Sequence, residues 1–158
     1  MTPFTLIHVL ISLAGILSGL IVLYDLLVSR PAPRWTAIFL ATTVLTSVTG
    51  FGFHRDHIMP GHVVGALSLV LLAVAIVALY RFRLAGVWRP VYVATAVASL
   101  YLNVFVLVVQ LFQKVAPLHA LAPSGSEPPF AVAQGVVLVA FVAAGVMAVR
   151  RFRPLSPA

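Results

Sequence analysis

The chain contains no cysteine among its 158 residues. This absence excludes disulfide bonds, thiolate metal sites and catalysis by a cysteine nucleophile. Charge is also scarce: Asp, Glu, Lys and Arg make up only 8% of the residues, whereas a soluble domain carries about 25%. Because 62% of the residues are hydrophobic, we predict one all-α membrane domain over residues 1–158, with its apolar surface covered by lipid.

Two common hydrolase motifs are missing as well. The sequence has no helical His-Glu-x-x-His pattern of the zinc proteases. Its serines within apolar stretches, such as Ser12, Ser47 and Ser99, have no nucleophile-elbow context. The sequence therefore leaves open whether the protein is an enzyme.

Acidic residues are outnumbered, with three Asp and Glu against ten Lys and Arg, which gives a net charge of +7. In a soluble protein this excess would suggest nucleic-acid binding. Here the basic residues flank apolar stretches, where they set the orientation of membrane helices. We expect no nucleic-acid partner, and the lipid bilayer as the main surrounding.

Five stretches are long and apolar enough to cross a bilayer core, which needs about 20 residues per helix. Pro60 and Pro90 suit the first turns of the third and fourth, because proline lacks a donor that would have no partner there. The chain is therefore predicted to be a polytopic bundle of five transmembrane helices, over residues 5–29, 35–53, 60–80, 90–115 and 130–149.

Basic residues predict the orientation of this bundle. In a five-span arrangement eight of the ten lie on one side: Arg30, Arg34, Arg81, Arg83, Arg89, Arg150, Arg151 and Arg153. Only Arg55 and Lys114 lie on the other. By the positive-inside rule the N-terminus is outside and the C-terminus is cytoplasmic. We expect an integral protein of a bacterial inner membrane.

All five histidines fall on the predicted outer side: His8, His54, His57, His62 and His119. Three of them and one carboxylate lie within the segment 54–62. Such a donor set suits Zn, Cu(II) or non-haem Fe. We predict a metal site formed by His8, His54, His57, His62 and Asp56. The alternative is that these are ordinary interfacial histidines whose polar edges reach water.

A b-type haem is the second cofactor predicted for these histidines. Two histidines from different helices can hold the iron by both axial positions, and His62 could pair with His8 or His54. A two-haem path across the membrane is disfavoured, because no histidine lies on the predicted cytoplasmic side.

Small and polar residues predict which helix faces point inward. In helix one His8, Ser12, Gly15 and Gly19 share a face, and the two glycines allow close helix approach. Helix four carries a polar stripe on steps of three and four residues, which must face protein or water. We predict that it lines a cavity with residues Tyr92, Ser99, Asn103, Gln110, Gln113 and, from helix five, Gln134. The alternative is that these side chains only join helices to one another.

Three functions are consistent with these patterns. The first is a redox or metal-handling membrane protein with its histidine site at the extracytoplasmic face. The second is a transporter of protons, ions or small solutes along the stripe of helix four. The third is a non-catalytic subunit that packs against a partner membrane protein or another copy of itself.

Overall fold

The computed structural model describes residues 2–30, 32–53 and 60–153. Within these ranges it contains six helices and no strand. α3 continues into a π-helical turn over Val77–Arg81. The helices are α1 (Pro3–Leu27), α2 (Pro33–Gly50), α3 (Pro60–Ile76), α4 (Trp88–Lys114), α5 (Ala116–Leu121) and α6 (Pro128–Arg151).

Prolines mark most of the helix starts. Pro3, Pro33 and Pro128 lie in the first turns of α1, α2 and α6, where their missing donor costs nothing. At α1 the hydroxyl of Thr2 also accepts a hydrogen bond from the backbone N–H of Thr5 at 3.2 Å. These helices therefore begin at a proline, slightly before the first residue of the predicted apolar stretch.

Each of the five predicted helices is present, with ends shifted by a few residues. α2 stops at Gly50 instead of Phe53, and α3 ends at Ile76, with its π-helical turn continuing to Arg81 instead of Tyr80. A further short helix, α5, forms after α4 over six residues and lies outside the five predicted stretches. Pro117 lies in the first turn of α5, so this proline begins a helix rather than preventing one.

In the part of the chain that the structure describes, four helices are long and apolar enough to cross a membrane: Pro3–Leu27, Gly61–Arg81, Trp88–Lys114 and Pro128–Arg151. They identify the chain as a candidate integral membrane protein. α2 has 18 residues, or about 27 Å at roughly 1.5 Å per residue, but Arg34 and several hydroxyl side chains make it less apolar. Two of these, Thr42 and Thr49, donate to their own helix backbone at 2.7 Å, which satisfies them without water.

The first four long helices pack as an antiparallel ring. α1 contacts α2 and α4, and α3 closes the ring by packing on both α2 and α4. A Cβ on Gly19 would lie 2.8 Å from the ring of Phe39 and 2.5 Å from Cδ1 of Leu100. The predicted contact of this glycine face with other helices is thus confirmed. α6 packs outside the ring against α4 and α1.

The antiparallel pairing gives the bundle two chemically different ends. The N-terminal ends of α1, α3 and α6 lie with the C-terminal ends of α2 and α4; we call this the histidine end, because His8, His62 and His119 belong to it. At the opposite, arginine end lie eight arginines, namely Arg30, Arg34, Arg81, Arg83, Arg89, Arg150, Arg151 and Arg153.

The hydrophobic core is concentrated toward the arginine end. Val93, Ala96 and Leu100 of α4 are at most 2% exposed there. In contrast, every residue of α4 from Tyr101 to Gln110 is partly exposed, around the full circumference of the helix. The bundle is therefore tightly packed at the arginine end and more open toward the histidine end.

Candidate histidine site

His8 lies in the second turn of α1 and faces the end of α2. Its Nδ1 atom is 2.8 Å from Oγ1 of Thr49, and its ring meets the ring of Phe53 edge-on at 5.0 Å. Thr49 lies in the last turn of α2, and Phe53 lies three residues beyond the end of that helix. The antiparallel pairing of α1 and α2 brings the three residues together.

The hydrogen bonds of Thr49 indicate which His8 nitrogen carries a proton. The hydroxyl of Thr49 lies 2.7 Å from the carbonyl oxygen of Leu45, which can only accept its proton. With the proton on that bond, Thr49 accepts from His8, and Nδ1–H is the donor. In the neutral ring the lone pair is therefore on Nε2, the nitrogen that is left to bind a metal or a proton.

His62 lies in the first turn of α3 and is partly buried. Its ring stacks on that of Phe51, with 5.7 Å between centroids and 16° between planes. Gly65, one turn further along, faces the same ring, and a Cβ there would lie 3.4 Å from it, in ordinary van der Waals contact. The end of α2 therefore supports histidines from both of its neighbouring helices, through Thr49 for His8 and Phe51 for His62.

Three of the predicted ligands, His54, Asp56 and His57, lie outside the described residues. The segment 54–59 that contains them joins Phe53, which touches His8, to α3, which carries His62. Within the described ranges, no three His, Asp or Glu side chains are grouped closely enough to hold a metal ion. The full metal site stays a prediction.

The polar stripe of α4 is divided into three environments. Toward the arginine end, Tyr92 and Ser99 are buried in the core: Tyr92 hydrogen-bonds to Thr36, and Ser99 donates to the carbonyl of Thr95 at 2.8 Å. At mid-depth the amide of Asn103 donates to Oγ1 of Thr43 at 3.4 Å. The contacts of Tyr92 and Asn103 join α4 to α2, whereas the bond of Ser99 stays within α4.

The outer part of the stripe is more accessible. Gln110 is partly exposed and Gln113 is exposed. Gln134 of α6 donates from Nε2 to the carbonyl of Phe105 at 3.1 Å, while its Oε1 is buried with no partner among the described residues. Gln113 also lines a cavity together with His119.

Sequence reasoning missed two features of this end. Thr49 was not among the residues expected to face inward, although antiparallel pairing of α1 and α2 would have placed it opposite His8. The cavity beside His119 was also missed, because it depends on α5 and on the turn after it.

Comparison with protein-family models, with curated proteins and with solved structures finds no match to this chain. Function therefore has to be argued from the site itself.

Proposed function

We propose that this is a five-span protein of a bacterial inner membrane that binds a transition metal or a b-type haem at its extracytoplasmic histidine end, for redox chemistry or metal handling. The main support is the orientation of His8. Metal-binding histidines usually donate the second ring N–H to a fixed acceptor, which orients the ring and raises its basicity. His8 has such an acceptor in Thr49.

The proposed ligands come from both sides of the end of α2. His8 and His62 are supported there by Thr49 and Phe51, and the connecting segment supplies His54, His57 and Asp56. Imidazole nitrogens with one carboxylate form a donor set for Zn, Cu(II) or Fe. When bound, Cu or Fe would supply one-electron chemistry, and Zn would supply a Lewis acid.

A haem would need space beside its axial histidines. A Cβ on Gly50 would come no closer than 3.9 Å to Cε1 of His8, and a Cβ on Gly61 would meet no atom of the described residues within 4 Å. These small residues are compatible with a flat ring near the histidines. His8 and His62 would hold its iron.

The charge distribution supports the membrane orientation. With α2 as a fifth span, all eight arginines of the arginine end fall on the cytoplasmic side, as the positive-inside rule requires. The histidine end then faces outward, where metals and oxidants from outside the cell can reach it.

The proposal is tested by titrating protein labelled with ¹⁵N in its histidine rings. Addition of Zn²⁺ should shift the Nε2 signal of His8, and addition of haem should give a visible absorption band of a histidine-ligated iron. His119→Ala is the matched control and should retain both responses, whereas His8→Ala should lose them. No response to Zn²⁺, Cu²⁺ or haem would refute the proposal.

A transporter is the second candidate, supported by the partly exposed stretch from Tyr101 to Gln110. Water entering from the histidine end could reach Asn103. A complete path would also have to pass the layer of Val93, Ala96 and Leu100, which is at most 2% exposed, so this function requires that layer to open. Flux into liposomes that falls in Asn103→Leu, with the protein still folded, would favour transport over the metal proposal.

A further inference from the structure

A cavity of about 170 Å³ lies at the histidine end, between the end of α4, the short helix α5 and the start of α6. Its residues play no part in the proposed metal site. One side of it is aromatic: Phe112 and Phe130 both line it and contact each other edge to face, with centroids 5.4 Å apart. A flat aromatic ligand could pack against these two rings.

The other side of the cavity is polar. Gln113, His119 and Ser124 line it. Nδ1 of His119 lies 3.3 Å from the carbonyl oxygen of Phe112. Since a carbonyl can only accept, Nδ1 carries the proton, and Nε2 of the neutral ring is an acceptor. The cavity therefore offers one acceptor nitrogen beside an amide that both donates and accepts.

The turn that bounds the cavity is fixed by Glu127. Its two carboxylate oxygens accept the backbone N–H groups of Ser124 and Ser126, at 2.9 and 3.1 Å. Because these hydrogen bonds fix the turn before a ligand binds, less conformational entropy is lost on binding. Its carboxylate also disfavours an anionic ligand nearby.

The surroundings indicate how a ligand would arrive. None of the residues of α5 is buried. Its last residue, Leu121, is 56% exposed, and Val115, just before the helix, is 39% exposed. Apolar side chains left exposed at the end of a membrane bundle meet lipid or its interface. A ligand dissolved in the bilayer could reach the cavity there.

We propose that this cavity binds the head group of a lipid-soluble quinol, a neutral aromatic ring with two hydroxyl groups. One hydroxyl donates to Nε2 of His119, the other bonds with the amide of Gln113 or the hydroxyl of Ser124, and the ring lies against Phe112 and Phe130. The oxidised quinone has no hydroxyl to donate to His119, so it binds more weakly. This site does not depend on the metal proposal.

The test measures binding of a hydroquinone with a short alkyl tail to the full-length protein in nanodiscs, by equilibrium dialysis. The corresponding quinone and an alkylbenzene with the same tail serve as ligand controls. His119→Phe and Gln113→Leu should each weaken hydroquinone binding about tenfold, the loss of one or two hydrogen bonds. His8→Phe, the same replacement at a histidine away from the cavity, should bind normally.

Hydroquinone affinity reduced by both cavity substitutions, in variants whose helix content and melting match the wild type, supports the site. Equal affinity for the hydroquinone and the alkylbenzene would overturn it, as would normal binding by both cavity variants. Loss of binding in His8→Phe alone would place the ligand at the other histidines and also overturn it. Metal binding by His8 can succeed or fail independently of all these results.

Discussion

The Nδ1 atom of His8 lies 2.8 Å from the Oγ1 atom of Thr49, which in turn donates its proton to the carbonyl oxygen of Leu45 at 2.7 Å. This chain of two bonds joins α1 to α2 at the histidine end. It orients the ring, with Nδ1 turned toward Thr49.

Replacing Thr49 with Val should therefore weaken metal or haem binding without unfolding the protein. Loss of a partner that orients a ligand typically costs about 10- to 100-fold in metal affinity. Thr46→Val, one turn away on α2, is the control: Oγ1 of Thr46 is buried and has no partner among the described residues, so its removal should cost nothing. Equal affinity in the two variants, measured by competition with a chelator, would show that Thr49 does not support a ligand.

The contact between α1 and its neighbours predicts a stability difference between two glycines. A Cβ on Gly19 would lie 2.5 Å from Cδ1 of Leu100, whereas a Cβ on Gly135 of α6 would meet nothing within 4 Å. Gly19→Ala should destabilise the bundle by about 1–3 kcal/mol through overpacking. Gly135→Ala should be neutral, or stabilising by up to about 1 kcal/mol, because alanine favours the helix.

Thermal unfolding in detergent, compared between the two alanine variants, measures this difference. If Gly19→Ala melts at or above the wild-type temperature, and the melting temperature of Gly135→Ala does not fall either, the close approach of α1 to Leu100 is incorrect.

At the arginine end a pair of hydrogen bonds, called here the clasp, joins the end of α1 to the segment after α6. Oγ of Ser29 donates to the carbonyl of Arg153 at 3.1 Å and accepts from its N–H at 2.8 Å. Arg89 also donates to the carbonyl of Phe152. Ser29 has a φ of 54°, a left-handed conformation that glycine adopts more easily than alanine.

Both Ser29→Ala and Ser29→Gly lose the clasp, but only alanine keeps a side chain in the strained conformation. We expect the glycine variant to be about 1 kcal/mol more stable than the alanine variant. Chemical denaturation of the two proteins checks this order, and the reverse order would show that φ at residue 29 is not positive.

The turn before α6 should respond to acid at an unusually low pH. Hydrogen bonding by the backbone N–H of Ser124 is the largest of the effects that lower the pKa of Glu127 from 4.5 to about 2. Because the folded pKa is lowered, the stabilising effect of the carboxylate is complete above pH 4.5. It is lost as the pH falls through about 2. The amide NMR signals of Ser124 and Ser126 should titrate with a midpoint near 2, and Glu127→Gln should abolish the titration. A midpoint near 4.5 would mean that the carboxylate does not hold the turn.

Much of this architecture could be predicted because lipid imposes simple constraints on sequence. Apolar length marks the helices, proline marks their starts, and Gly15 and Gly19 mark a tight contact. The helix α5 was not predictable from the prolines alone, since Pro117 is compatible with either a turn or a helix start. The pairing of His8 with Thr49 depends on the relative depth of α1 and α2, which residue spacing within one helix does not give.

The orientation of the bundle can be tested separately from the site. Ala85, at the arginine end, and Ala120, on α5, are both exposed, and the chain has no native cysteine. Single cysteines at these two positions should react with a membrane-impermeant maleimide from opposite sides, Ala120→Cys from outside the cell and Ala85→Cys only after lysis. Labelling of both from one side would contradict the five-span arrangement.

The central claim is that the histidine end holds a metal or a haem, and the most direct measurement is the content of the protein itself. Wild type, His8→Ala and His119→Ala should be purified in mild detergent without chelators and analysed for metals per chain and for visible absorption. The proposal predicts close to one Zn, Cu, Fe or haem iron per chain in the wild type and in His119→Ala, with a large loss in His8→Ala. Wild-type protein with neither a metal nor a haem band, or equal contents in all three proteins, would contradict it.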